Sequence, residues 1–526
     1  MFSRKMLRFL CAAAAVALAA PAFAANPLIV KTDKGKVQGK MSADGQARDF
    51  LGIPYAAPPV GPLRWKPPQP AAKWHDTRSA TAFGSRCYQQ DVYDDMVFRD
   101  PGQSEDCLTL NVWTPAGHLG KLPVMVWIYG GGFTGGGTSE PRQDGEHLTR
   151  KGVVVVSMNY RLGIFGFLAT HDLAAEDPHH AAGNYGLMDE LAAIQWVKRN
   201  IEKFGGDPNN VTIFGESAGS FAVSAQMASP LAKGFFAHAI GESGGAFASK
   251  ELTFPPLEKA EQSNEDFIRH AGADPALKAL RAMSSEDILK IGQTKGPDSH
   301  PFAPDTDGYF LPQSVSAIFA AGQQAKVPLI AGWNQDEGTS SIGEHPERGK
   351  LDGLKATAAK EFGTRADDFL KVYHANDDDE ATRAAEDFSG DNFLVYSTWA
   401  WLEAQVKNGV PAYRYLFAQP SPGDPFHPIS AGAFHSDEIE YVFGNLDSRK
   451  GAKFTPDDYK LSDLMQTYWT NFARTGDPNG AGSSPHWPAY DAAGNWQVMR
   501  LSGTGSAAVP DNHRERYLFL QDVWGK

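Results

Sequence analysis

The chain has 526 residues, a formal net charge of −13, 42% apolar and 21% charged residues, which is ordinary globular composition. Its acidity argues against nucleic acid or an anionic membrane surface as a partner, and no run beyond the N-terminus is apolar for long enough to span a bilayer. The 53 Gly and 35 Pro imply many turns and long ordered loops, and no linker-like stretch divides the chain, so one domain is expected from residue 25 to 526.

Met1 to Ala24 begins with basic Arg4, Lys5 and Arg8, continues with an apolar stretch from Phe9 to Ala20, and ends in Ala22-Phe23-Ala24. This is the layout of a secretory signal peptide cleaved after Ala24, and the apolar stretch is short for a membrane span. Export to the periplasm or the medium is expected, and loss of the three basic residues takes the net charge from −13 to −16. Cys11 leaves with that segment. Cys87 and Cys107 are then the only cysteines, in an oxidising compartment, and one disulfide is the economical reading.

From Leu28 to Phe50 the pattern predicts a small antiparallel hairpin. The proline-rich segment Phe50 to Trp65 follows, where prolines argue against a central strand or helix and for an extended loop laid over the surface. Leu108 to Trp113 alternates like a strand. Pro123 to Tyr129 and Val153 to Tyr160 are continuous apolar runs of the kind buried on both faces of a sheet. The first of these ends in Gly130-Gly131-Gly132, a flexible turn or a backbone bared to present N–H groups to an anion. A helix is expected from Tyr185 to Phe204, with apolar residues at spacings of three and four and a stop at Gly205-Gly206.

The stretch Val211 to Ser229 reads as a buried strand, an abrupt turn and a small-residue helix, with Gly215-Glu-Ser217-Ala-Gly219 at the turn. That G-x-S-x-G, with strand before and helix after, is a nucleophile elbow. Gly241-Glu-Ser243-Gly-Gly245 repeats the motif, but its glycines and Pro255-Pro256 make a poor helix. Ser217 is therefore the expected nucleophile and Ser243 a strand-end serine near it.

Further on, helices are expected near 258–271 and 285–291, a buried strand over Val327 to Gly332, a helix over 392–406, a last strand over Pro411 to Phe417, and a closing amphipathic helix from Leu461 to Thr475. Asp377 to Glu380 reads as a solvated face, His179-His180 lacks ligand partners, and the Asn210 sequon abuts the elbow strand. Buried strands alternating with helices predict a mostly parallel sheet covered on both faces, with the site at the carboxyl ends of the strands.

A serine hydroxyl needs a base to take its proton and a carboxylate to hold that base. In α/β-hydrolases they follow in the order Ser, Asp or Glu, His, and Ser217, Glu337 and His435 satisfy it. Asp336 is Glu337's neighbour.

The chain resembles the type B carboxylesterase and cholinesterase family from about Leu28 to the C-terminus. The resemblance is carried by Phe50 to Pro68, Ser104 to Trp113, Tyr129-Gly-Gly-Gly-Phe133, Gly183-Asn-Tyr-Gly-Leu, Phe204 to Gly219, Asn334-Gln-Asp-Glu-Gly338, His435 to Gly444 and Tyr468 to Asn479. It implies an α/β-hydrolase fold with large loop and helix insertions, Ser217 as nucleophile, His435 as base, and Glu337 rather than Asp336 as the acid. It also implies an oxyanion hole of the Gly131, Gly132 and Ala218 N–H groups, and buried ion pairs Arg64–Glu105 and Arg161–Asp189. The expected substrate is a small carboxylic ester, and neither metal nor organic cofactor is needed.

The single cysteine pair closing a short loop is more like the bacterial branch than the vertebrate cholinesterases. The partly polar stretch Asp298 to Asp305 removes the expectation of choline-ester specificity. Two other readings share the fold: a binding protein of the kind that has lost the serine, and an amidase or peptidase using the same triad.

Overall fold

The computed structural model describes residues 27–118, 120–247, 254–296, 301–480, 485–491, 493–494 and 496–525. The expected signal peptide, Met1 to Ala24, and Asp298 to His300 of the partly polar stretch lie outside the described residues.

Among the described residues fourteen strands form two sheets. In chain order they are β1 Ile29–Lys31, β2 Lys36–Gln38, β3 Lys40–Met41, β4 Ala47–Pro54, β5 Arg78–Ser79, β6 Thr109–Pro115 and β7 Leu122–Ile128. Then come β8 Val154–Met158, β9 Gly206–Glu216, β10 His238–Glu242, β11 Leu329–Asn334, β12 Ala412–Phe417, β13 Gln497–Leu501 and β14 Ala507–Pro510. The first two make the expected antiparallel hairpin, joined by β5. The large sheet runs β14-β13-β12-β11-β10-β9-β7-β8-β6-β4-β3. From β13 to β8 every neighbour is parallel, and antiparallel strands finish both sides.

Among the parallel strands β7, β8 and β11 are buried at every position, as their continuous apolar sequence requires. Such strands need cover on both faces, which packed helices provide. One register row crosses the centre of the sheet through Ile128, Gly215, Gly241, Ala331 and Arg414. The residues just past that row therefore emerge together at one edge.

The helix Tyr185–Asn200 and its 3-10 extension Ile201–Phe204 end at Gly205, which adopts φ 98°. The helix Ala218–Ala228 behind the elbow is buried along its whole length, which its small residues permit.

Two expectations are corrected. Phe50 to Pro54 is not a surface loop but the second half of β4, one strand in from the sheet edge, with Phe50 and Ile53 fully buried. The prolines begin only at the strand's last residue, and a bulge at Gly52, φ 70°, fits it to β6. The Pro411 to Phe417 strand is not the last, because β13 adds parallel to it and β14 follows, while a helix at Arg514–Trp524 lies beyond the expected closing helix. Both added strands are short and mixed in polarity, which leaves little periodicity to read.

Candidate active site

Ser217 stands between the end of β9 and the helix Ala218–Ala228, with φ 54° and ψ −124°. A side-chain-bearing residue avoids that region unless the surroundings hold it there. Its N–H is fixed to the Glu242 carbonyl at 2.8 Å. The turn also needs glycine: a Cβ on Gly219 would stand 2.0 Å from the Ile128 carbonyl oxygen. The strained turn pushes the hydroxyl out above the sheet edge, where Ser217 is half-buried.

His435 arrives from the loop after β12 and Glu337 from the turn after β11. His435 Nε2 lies 3.0 Å from Ser217 Oγ, and its Nδ1 lies 2.8 Å from Glu337 Oε2. The other carboxylate oxygen, Oε1, accepts from Asn334 N–H at 2.9 Å and Ser243 Oγ at 2.6 Å. Phe393 sets its ring edge-on to the imidazole at 5.2 Å. Asp336 points elsewhere, its Oδ2 accepting from Ala433 N–H at 2.7 Å.

The loop after β7 brings its glycines beside Ser217; a Cβ on Gly130 would stand 2.9 Å from the Ser217 Cβ. Gly131 and Gly132 have φ 106° and 62°, and a Cβ on Gly131 would run 2.2 Å from the Gly135 carbonyl oxygen. The turn closes through Thr134 and Gly135 N–H groups on the Gly131 carbonyl. Among the described residues no acceptor takes the N–H of Gly131, Gly132 or Ala218. The last opens a helix, whose first amides have no partner within it.

Carboxylates crowd beneath the imidazole. Glu216 Oε1 is 3.2 Å from His435 Nε2 and accepts from Ser436 Oγ at 2.7 Å. Burial pushes the Glu216 carboxyl up, offset in part by the His435 charge and the Ser436 bond. Burial also raises Glu242, to about 8, and Glu438 well above the usual range. Burial works to lower His435, but the charges of Glu216 and Glu337 outweigh it and push the imidazole up to about 9.

The two motif serines are distinguished by access and partners. Ser243 has the same kind of backbone, φ 55°, yet is fully buried and points at Glu337. Sequence reading did not single out the Glu216–Ser436 bond, nor Gln89. The buried Gln89 amide accepts from Gly136 N–H at 2.8 Å and donates to the Gly136 carbonyl at 2.7 Å. It thereby ties the glycine loop to the loop closed by Cys87 and Cys107, which are joined by a disulfide. No spacing in the sequence marks either contact.

The four charges expected to pair are buried in pairs. Arg64 binds Glu105 through Nε at 2.8 Å and Nη2 at 2.5 Å, and Arg161 binds Asp189 through Nε at 2.7 Å and Nη2 at 2.8 Å. Among the described residues no group of three or more His, Cys, Asp or Glu side chains is arranged to hold a metal, and no helix is long and apolar enough to cross a membrane. His179 stacks on Tyr309, and Asp377 caps the helix Asp378–Gly390.

The Carboxylesterase family model matches residues 26–518. Fumonisin B1 esterase of Sphingopyxis macrogoltabida is 39% identical over 92% of this chain and 89% of its own length. Para-nitrobenzyl esterase of Bacillus subtilis is 36% identical over 93% of this chain and 98% of its own. The crystal structure of a Geobacillus stearothermophilus carboxylesterase superposes with a TM-score of 0.81 at 32% identity, covering 94% of this chain and all of that one.

Proposed function

The chain belongs to the carboxylesterase family and is a carboxylic ester hydrolase; we propose that it cleaves small esters through an acyl-enzyme on Ser217, with His435 as the base and Glu337 orienting it. The observation that carries this reading is the unbroken path Glu337 Oε2–His435 Nδ1, His435 Nε2–Ser217 Oγ, at 2.8 and 3.0 Å. Beside it lie three N–H groups that no acceptor takes among the described residues.

Ser217 Oγ attacks the ester carbonyl as its proton passes to His435 Nε2. The carbonyl oxygen, now an oxyanion, takes hydrogen bonds from the Gly131, Gly132 and Ala218 N–H groups. Each such donor contributes about 3 kcal/mol to lowering a barrier of this kind. Collapse breaks the bond to the alcohol oxygen, which leaves with the Nε2 proton. Water, deprotonated by the same nitrogen, then attacks the acyl carbon and frees the acid and Ser217. Glu337 holds the Nδ1–H tautomer through its contact with His435 Nδ1.

The amidase reading uses the same triad, and the two separate on a matched ester and amide: hydrolysis of the ester with the amide left intact is expected. Fluorophosphonate labelling followed by peptide mapping should place the adduct on Ser217. Loss of activity without an adduct there would overturn the mechanism. Export with cleavage after Ala24 and a single domain over 25–526 complete the proposal. The disulfide supports the first, since such bonds persist in oxidising compartments.

A further inference from the structure

Ser436 follows His435 directly and holds φ 71°, in the left-handed region that favours glycine. No tight turn signal requires a serine there, and glycine would suit the backbone better. What the serine adds is its hydroxyl, which donates to Glu216 Oε1 at 2.7 Å. That same oxygen is 3.2 Å from His435 Nε2, the nitrogen that faces Ser217 Oγ at 3.0 Å. Among the described residues Ser436 and His435 are the hydrogen-bonding or ion-pairing partners of the Glu216 carboxylate.

We propose that Ser436 is a positioning residue: its hydroxyl keeps Glu216 ionised and aimed at His435, so that the imidazolium formed during turnover has a charged partner on its Nε2 side as well as Glu337 on its Nδ1 side. This rests on His435 being the catalytic base. A buried carboxylate with few donors takes up a proton, and hydrogen bonds to the charged form resist that. Competition for the ionised state is strong here, because Glu242 at the end of β10, Glu438 on the His435 segment and Glu337 after β11 all face the same space. Arg142, from the turn Pro141–Gln143, is the cation near both groups, and it favours the Glu216 anion while opposing the His435 charge. Tyr93 of the disulfide loop is uncharged in the working range, its hydroxyl raised to about 12 by burial and then by Glu216.

Without the Ser436 hydroxyl, Glu216 takes up a proton more readily and the imidazole loses part of its anionic partner. The sign follows: a neighbouring anion raises a histidine, so its loss lowers the pH at which the base becomes available. The strained backbone provides a control, because glycine removes the hydroxyl and the strain together, whereas alanine removes only the hydroxyl.

The test is the pH dependence of kcat/KM on a neutral ester, with the rate of fluorophosphonate inactivation as a second readout, for wild type, Ser436→Ala, Ser436→Gly, Glu216→Gln and the Ser436→Ala/Glu216→Gln pair. The acid limb is expected to move down by about one pH unit in both Ser436 variants, the size of effect a single close charge exerts. Glu216→Gln should move it at least as far, and adding Ser436→Ala to it should move it no further. Ser436→Gly should melt at or above the temperature of Ser436→Ala while sharing its shifted limb, which a loss of structure would not produce. A limb at the wild-type position in both Ser436 variants, or a Ser436→Ala shift that adds in full to that of Glu216→Gln, would overturn the proposal and leave the triad standing. A wild-type profile with no acid limb would instead remove His435 as the base, and this role with it.

Discussion

Ser243 Oγ donates to Glu337 Oε1 at 2.6 Å, on the carboxylate oxygen that faces away from His435. The second G-x-S-x-G serine is thus placed to hold the acid while the first serves as the proposed nucleophile. Fluorophosphonate is expected to modify Ser217 alone, and Ser243→Ala should still label but turn over roughly tenfold more slowly, as for a lost hydrogen bond of about 1.4 kcal/mol. Mass mapping of the adduct and single-turnover kinetics check both; an adduct on Ser243 would reverse the assignment.

Asp336 and Glu337 are neighbours with different partners. Glu337→Gln should lower kcat by about 10³ to 10⁴, because a neutral amide no longer favours the imidazolium and the required tautomer. Asp336→Asn keeps an oxygen that can accept from Ala433 N–H, so kcat should stay within a few-fold of wild type. Steady-state kinetics on the two purified variants decide it, and the reverse ranking would refute the choice of acid.

The disulfide loop packs against the proposed oxyanion loop. Gln89 bonds both polar groups of Gly136, and Met96 Cε would lie 3.3 Å from a Cβ on Gly131. Replacing Cys87 and Cys107 by Ser should cost about 3 kcal/mol of stability by chain-entropy reasoning for a loop of this size. It should also lower kcat more than it raises KM, because the N–H groups loosen. Denaturant unfolding and kinetics below the melting transition separate the effects; an unchanged kcat would mean that the glycine loop keeps its shape unaided.

Arg161 and Asp189 are 3% and 0% exposed, so each charge depends on the other. Burial raises the Asp189 carboxyl even against Arg161, which shows how costly desolvation is at this position. Arg161→Met should therefore lose about 3 to 5 kcal/mol, and Arg64→Met a comparable amount. Exposed pairs lose under about 1 kcal/mol, so near-native denaturation midpoints would contradict the role given to them.

Asp305 is fully buried, its Oδ2 has no hydrogen-bond partner among the described residues, and Asp307 lies close by. Burial, then the Asp307 charge, holds its carboxyl well above the usual range. The folded pKa being raised, the protonated form favours the fold at low pH, and that contribution is lost as pH rises from about 4, the unfolded value, towards the folded one. Asp305→Asn should thus match wild type near pH 4 and melt at least about 2 °C higher at pH 8. Thermal unfolding across that range checks the sign, and an equal difference at both ends would show that the carboxyl does not titrate.

The elbow and the buried strands were legible because each is a local pattern, whereas Glu337 and His435 were named by the superfamily's Ser, acid, His order and by the family resemblance. Strand-turn-helix around Ser217, apolar runs ending in Gly130 and at Gly332, and glycines that no other residue could replace all follow from neighbours in the chain. The sequence by itself determined the fold class and which residues could form the catalytic set. Tertiary structure decided what those residues touch. That Phe50 to Pro54 pairs inside the sheet, that β13 adds beyond β12, that Ser243 serves Glu337, and that Ser436 reaches Glu216 across 220 positions depend on register and on side chains converging from separate strands. Periodicity reports which face of an element is buried but carries nothing about which other element lies against it, because that is set by the packing of the whole sheet and its loops.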